Sequence, residues 1–471
     1  MTISVSTIPS NLLKPGQYSE LNTLSGLKGL PANTQKLLLI GQMTAAATVA
    51  AAVPTQVFSP AEAAAYFGPG SILHRQALAA FGVNRNLTLW MVGQADGAGT
   101  AATGTVVFTG TATGAGSFVL LVGDDRVEVP FAVAQTAAGM ATAAIAAINA
   151  NTSLPVTATA ATGTVTITAK NKGTVGNQIA LTGAISGAGL TQVTAAALTA
   201  GATDPTLQTT LDAIFPGQFH IINYWSPLQA DLTSLAAHLV SVSSSLEQRP
   251  GRGIVAALPQ SILSAVVTLA TTTNCERLTL PYLRGSISPA YEIGASVAAA
   301  VASEENPARP LDGVLLPGVT MPVTSSLLSR TEQETLLAAG VTPLEASGQF
   351  VSIVRLVTTR TVTNGATDLT LLDSATIATL DYLRFAWNTR QKILFQQMAL
   401  NDRVLSAIRE AAVSLCLELQ DAELLQHVGD YKAQFIAERD PNYPGRARVS
   451  IPAPIVPGLH QTYTRIDLLV L

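Results

Sequence analysis

Between Pro205 and Ser303 short apolar runs alternate with longer amphipathic segments, and no other feature restricts the fold as much. Period and length predict helices over Pro205–Ile214, Leu228–Leu246, Gln260–Ala270 and Pro289–Ser303. Strands are predicted between them at Phe219–Trp225, Gly253–Leu258 and Arg277–Leu283. Strands joined through a helix are not hairpin partners, and a right-handed crossover returns each one parallel to the last. The expected product is an α/β fold: a mostly parallel sheet core with flanking helices on both faces.

Segments outside that stretch feed the same core. Lys36–Gly41 (KLLLIG) is a continuous apolar run of the kind a strand buried on both faces requires, and Leu87–Val92 is a second strand. Ser59 followed by Pro60 supplies an N-cap and a first helical residue with preset φ. A further helix is expected over Ser71–Phe81. Additional strands are read at Leu311–Pro317 and Phe350–Thr363, and a helix at Thr331–Ala339 ended by Gly340. From Asp373 the pattern is helical to about Glu438, with a broad apolar stripe through Ile377, Leu380, Leu383, Phe385 and Trp387 continued by Val404, Leu405, Ile408, Ala412 and Leu415. Arg384, Arg390, Lys392, Arg403 and Arg409 mark exposed faces of these helices.

Composition changes at Gly97. From there to Gly201 the chain is rich in Thr, Ala and Gly, and its only charges are Asp124, Asp125, Arg126, Glu128, Lys170 and Lys172. Phe118–Val122 and Arg126–Phe131 flank a Gly-Asp-Asp turn, and Val156–Ala160 and Thr164–Ala169 flank a second Gly-bearing turn. Thr136–Asn149 places Met140, Ile145 and Ile148 at helical spacing. A β-rich domain with one helix is expected, inserted into the main fold on an exposed rim.

Both chain ends read as strands on arms. Ile3 and Val5 alternate with polar neighbours until Pro9, Pro15 and Gly16 break the pattern. At the other end Pro452, Pro454 and Pro457 keep the backbone extended, and Tyr463–Leu471 sets Ile466, Leu468 and Val470 on one face. Such a strand must complete a sheet, its own or a neighbour's. The plan is an N-terminal arm (1–30), core segments (31–96 and 204–372), the insertion (97–203), a helical part (373–440) and a C-terminal arm (441–471).

Charge and motifs exclude several classes. The net charge is −4 with no basic run, which argues against nucleic acid as partner. Charged residues make up 12%, against roughly a quarter in an average soluble domain. That deficit fits either surface buried against other chains or simple alanine enrichment. Cys275 and Cys416 have neither metal nor disulfide spacing and read as buried free thiols. The start MTISVSTIPS has no signal-peptide pattern, and no run approaches the ~20 apolar residues of a membrane span. A soluble, cytosolic product without membrane insertion is expected.

The sequence carries few residue patterns that point to chemistry. His74, His220, His238, His427 and His460 form no ligand spacing, and no phosphate-binding loop sits between strand and helix, so no cofactor or metal is expected. Gly294–Ala299 (GASVAA) is similar to the nucleophile segment of subtilases, with Ser296 in the nucleophile's place. An alternative function, a subtilase-like serine hydrolase using Ser296, lacks its partners: no His-Gly segment heads a helix, and the only nearby acid followed by glycine is Asp312. Small residues packing a helix closely on the sheet account for the same segment. A third reading is an adhesin or binding module built around the Thr-rich insertion.

Several stretches together carry a family resemblance. They are LLLIGQ, LPVTATAATGTVTITAKNKGTVGNQIAL, RPGRGIVAAL, EENPARPLDGVLLPGV, RTEQETLLAAGVTPLE, VSIVRLVTTRTVT, LDSATIATLDYLR and PNYPGRARV. In this order, over nearly the whole chain, they resemble the tail sheath protein of contractile-tailed bacteriophages, in particular the branch similar to phage Mu. The resemblance implies a structural virion protein, not an enzyme, with an α/β core subtilisin-like in fold but non-catalytic. It implies stacked hexameric rings around an inner tail tube, contraction that drives the tube through the host envelope for genome ejection, and baseplate and tail terminator proteins as further partners. Assembly would take place in the bacterial host cytoplasm. The arms Thr2–Thr7 (Ile3, Val5) and Tyr463–Leu471 (Ile466, Leu468, Val470) would add strands to neighbouring subunits. The insertion would face outward, and Arg384, Arg390 and Lys392 are candidate tube-facing charges.

Overall fold

The computed structural model describes residues 29–468, so the strand expected at Thr2–Thr7, with Ile3 and Val5, and residue Val470 lie outside the described residues. The chain divides into two compact units. One contains Thr34–Asp381 and the segment from Pro457; the other is built on Tyr382–Val456.

The first unit opens with β1 (Lys36–Gln42), β2 (Thr55–Val57), α1 (Pro60–Phe67), α2 (Ile72–Val83) and β3 (Thr88–Gln94). Helix α1 starts where Ser59 accepts a hydrogen bond from the Glu62 amide, with Pro60 in the first turn. Next come β4 (Ala101–Gly110), β5 (Gly116–Val122), β6 (Asp125–Phe131), α3 (Ala137–Ala150), β7 (Val156–Ala161), β8 (Thr164–Lys172), β9 (Leu181–Ser186) and β10 (Leu190–Thr194). Strand–helix alternation follows: α4 (Leu207–Ile214), β11 (Ile221–Tyr224), α5 (Gln229–Val242), β12 (Arg252–Ile254), α6 (Leu263–Thr273), β13 (Leu278–Thr279), β14 (Pro281–Tyr282) and α7 (Ala290–Ala302). The unit continues through β15 (Leu315–Leu316), α8 (Arg330–Ala338), β16 (Thr342–Ser347), β17 (Phe350–Ile353) and the short hairpin β18 (Val362–Thr363) and β19 (Ala366–Thr367).

A six-stranded sheet runs β13-β12-β11-β1-β3-β2, every pair parallel except β2 with β3. Successive side chains of a strand point to opposite faces, and β1 divides accordingly. Leu37 and Leu39 pack with Phe67, Leu73, Ile293 and Val297 from α1, α2 and α7, whereas Leu38 and Ile40 pack with Leu211, Leu235, Leu239 and Val266 from α4, α5 and α6. All four β1 side chains are fully buried. Each contributes about 1.5–3 kcal/mol of hydrophobic stabilisation, so helices cover both faces of this sheet.

Several expected strands come out shorter or divided: Phe219–Trp225 reduces to Ile221–Tyr224 and Gly253–Leu258 to Arg252–Ile254. Arg277–Leu283 breaks at Leu280: β13 pairs with β12, but β14 pairs with β16 in a second, four-stranded sheet. Pro281 has no N–H for the first ladder, and the chain changes sheets there. Of Phe350–Thr363 the described strands are β17 and the tiny β18; between them Val357 makes an isolated bridge to Asp373, and Thr358 N–H bonds Leu372 O and Thr359 N–H bonds Leu278 O. Leu311–Pro317 reduces to Leu315–Leu316.

The Thr-rich stretch has its own hydrophobic cluster, with two sheets (β10-β4-β8-β7 and β6-β5-β9) packed with α3. Phe108 and Phe118 meet edge to face at 4.9 Å between ring centroids. The β5–β6 hairpin closes over Gly123 and Asp124 alone, with Val122 opposite Asp125. Asp125 therefore begins β6 instead of completing the turn. Gly123 sits at φ +59, a left-handed value that favours glycine.

The second unit carries α9 (Ser374–Phe395), whose first turns belong to the first unit, α10 (Asp402–Asp421), β20 (Ile436–Arg439) and β21 (Ala447–Ser450). Expected helix to Glu438 is a correction: it stops at Asp421. Beyond it, Gln426 N–H bonds Pro454 O, His427 adopts φ +52, and β20 pairs antiparallel with β21. The C-terminal arm read from residue 441 thus begins as half of a hairpin.

Candidate functional site

Ser296 lies in the interior of α7 and is fully buried. Its Oγ has no hydrogen-bond partner among the described residues. Two residues earlier, a Cβ on Gly294 would come within 2.6 Å of Asn223 Nδ2, so the helix lies directly on the sheet. A nucleophile must reach its base and its substrate; Ser296 reaches neither, which corrects the hydrolase alternative. Three histidines are held in neutral form by burial: His74, His220 and His238 are each lowered to about 4, chiefly by desolvation. His74 Nδ1 accepts from Gly70 N–H at 3.1 Å, and His220 Nδ1 from Lys36 N–H at 3.0 Å. Both cysteines are buried free thiols, and burial pushes Cys416 up to about 12.

The sequence does not announce the role of His460. Its Nδ1 lies 2.5 Å from Asp312 Oδ2 and its Nε2 2.5 Å from Asp373 Oδ2. The ring thus bridges two carboxyl groups, one at each nitrogen. Arg355 Nη2 stands 3.8 Å from the same Asp373 oxygen, and Asp373 Oδ1 accepts from the Ala375 amide at the start of α9. A single side chain thereby fastens the last segment of the chain to the loop after α7 and to the head of α9. No motif links three residues so far apart in sequence.

Beyond this clamp the chain runs without strand pairing among the described residues. Tyr463, Ile466 and Leu468 are 91%, 91% and 88% exposed. A short extended segment with two large aliphatic side chains in water is an unfinished contact.

In the second unit, β20 and β21 form a two-stranded sheet among the described residues, with Ile436 about half exposed. Asp440, almost fully buried, braces the hairpin: Arg448 Nε is 3.2 Å and Arg446 Nη1 3.5 Å from its Oδ2. Arg390 turns inward to Glu418, Nη1 to Oε1 3.0 Å, joining α9 to α10. With its side chain 12% exposed it is not a surface charge, a correction to the face expected from periodicity. Arg384 is partly buried and Lys392 exposed.

Comparison with known proteins defines the class first. The chain shares its mixed α/β fold with the sheath tail protein of Desulfitobacterium hafniense (TM-score 0.52, 15% identity, 91% of this chain and 93% of that one). It also shares it with a chain of the anti-feeding prophage baseplate (TM-score 0.51, 10% identity, 98% and 100%). Residues 200–359 match the family described as phage tail sheath protein central domain. The Mu-like prophage FluMu tail sheath protein of Haemophilus influenzae is 30% identical over 472 residues, covering 95% of this chain and 96% of that protein. The chain belongs to the phage tail sheath protein family: it is a tail sheath protein of a contractile phage tail.

Proposed function

We propose that this chain is the non-catalytic sheath subunit, polymerising as stacked hexameric rings around an inner tail tube and contracting to drive the tube through the host envelope. The observation that carries the reading is the clamped but unpaired C-terminus: His460 fixes its root while Ile466 and Leu468 stand in water. A strand added to a neighbour's sheet supplies a row of backbone hydrogen bonds, each worth about 0.5–1.5 kcal/mol net. Burial of the two aliphatic side chains adds about 1.5–3 kcal/mol apiece. The two-stranded β20–β21 sheet suits the receiving role, because a lone hairpin is marginal in water and gains most from a further strand.

Tyr463–Leu471, with Ile466, Leu468 and Val470, and Thr2–Thr7, with Ile3 and Val5, are then connectors between subunits. The 97–203 domain faces outward, Arg384 and Lys392 are candidate tube-facing charges, and Arg390 serves the α9–α10 joint instead. The α/β core is read as subtilisin-like without catalysis. Baseplate and tail terminator proteins bound the polymer, which assembles in the host cytoplasm. Rigid units on proline-bearing arms suit rigid-body rearrangement on contraction.

Electron microscopy of the purified chain tests the proposal: striated tubes or stacked rings are expected, and a monomer persisting at high concentration would overturn it. Deleting Tyr463–Leu471 is expected to abolish tubes and leave a folded core. Tubes from the truncated chain would sink the connector assignment.

A further inference from the structure

At the junction between the Thr-rich β domain and α7, one cation faces three carboxylates. Arg75 of α2 is 7% exposed; its Nε donates to Glu292 Oε1 at 2.8 Å and its Nη1 lies 2.6 Å from Asp125 Oδ2. Glu292, 5% exposed, stands in the first turn of α7. Asp124 occupies the tip of the β5–β6 hairpin, where its Oδ2 accepts from Ser288 Oγ at 2.5 Å. The Tyr291 hydroxyl, fully buried and unpartnered among the described residues, completes the set of titratable groups facing Glu292. The backbone closes the contact, since a Cβ on Gly123 would meet Pro289 and Ile287 at ordinary van der Waals distance.

Charge arithmetic does not balance if every carboxyl ionises. One guanidinium would leave two surplus negative charges at a half-buried junction, with Glu292 almost wholly out of water and the Asp125 side chain 29% exposed, where an unpaired charge is costly. The site relieves this by keeping a proton. We propose that Arg75, Glu292, Asp124 and Asp125 form a proton-operated lock that seats the tip of the β5–β6 hairpin on α7, closed when the cluster holds a proton and loosened when it is lost.

Glu292 is the carboxyl that holds it. Burial, the dominant cause, raises it from 4.5 to about 7 despite the neighbouring Arg75, and burial raises Asp124 and Asp125 as well. In the open junction Glu292 meets water and is ionised above about 4.5. Between about 4.5 and 7 the closed state therefore binds more protons than the open one, and raising the pH favours opening; above about 7 the effect levels off.

Amide hydrogen exchange of the full chain, corrected for intrinsic rates, reads this directly. Protection of residues 118–131 should fall as pH rises from 5.5 to 7, with a slope of at most about tenfold per pH unit, the limit for one proton. Glu292→Gln, which keeps the shape and removes the titration, should flatten the slope; Glu292→Asp should retain one. A pH-independent opening in the unmodified chain, or an unchanged slope in Glu292→Gln, would overturn the lock.

Discussion

His460 Nδ1 lies 2.5 Å from Asp312 Oδ2, across 148 residues of sequence. Asp373 holds the other ring nitrogen at the same distance, so the root of the C-terminal arm is fixed by two short contacts from one side chain. A hydrogen bond to a charged group contributes about 1.5–3 kcal/mol where burial is substantial. His460→Ala should cost roughly 2–4 kcal/mol of stability in urea titration. It should also raise the protein concentration at which tubes form. Unchanged values for both would show the clamp to be incidental.

Arg390 and Glu418 make a parallel case between α9 and α10. Removing the arginine leaves a partly buried carboxylate without its partner, so Arg390→Ala should destabilise by about 1–3 kcal/mol. Arg390→Ala/Glu418→Ala should recover part of that loss in a double-mutant cycle. Strictly additive losses would mean the pair does not couple.

Helix α7 tolerates change at one position and not at another two residues away. Ser296→Ala removes a buried hydroxyl that has no partner among the described residues, and stability should stay within about 1 kcal/mol or rise. Gly294→Ala drives a methyl into the Asn223 amide at 2.6 Å and should cost about 1–3 kcal/mol. Thermal unfolding of the two variants side by side checks the contrast, which reverses if Ser296 has a role of its own.

Acid sensitivity follows from the buried histidines. His220 is lowered from 6.5 to about 4 by burial, so below 6.5 the unfolded chain takes up a proton that the folded chain refuses. Its contribution is complete above about 6.5 and is lost progressively down to about 4. His220→Asn, whose Oδ1 replaces Nδ1 as acceptor for the Lys36 amide, should lose less stability than the parent between pH 7 and 5. Denaturant titration at the two pH values measures the difference, and equal losses would contradict the assignment.

The elements were legible where the signal is local. Ser59-Pro60 caps α1, KLLLIG forms β1, and the two Gly-bearing turns close their hairpins, because caps, apolar runs and turn residues act over a few positions. Pairing was not legible in the same way. Whether Pro281 stays with its strand, whether Ala447–Ser450 hangs free or joins Ile436–Arg439, and which way Arg390 points depend on what lies across the space.

By itself the sequence determined the segment types, the alternation that builds the first unit, the family resemblance and the apolar face of the closing arm. Only tertiary structure decided that Ser296 of α7 is sealed against the sheet and that His460 bridges Asp312 and Asp373. It likewise decided that one arginine faces three carboxylates at the foot of the β domain. The physical reason is range. Propensity and period are set by neighbours in the chain, whereas burial, ion pairing and proton affinity are set by groups the chain brings together from hundreds of residues apart.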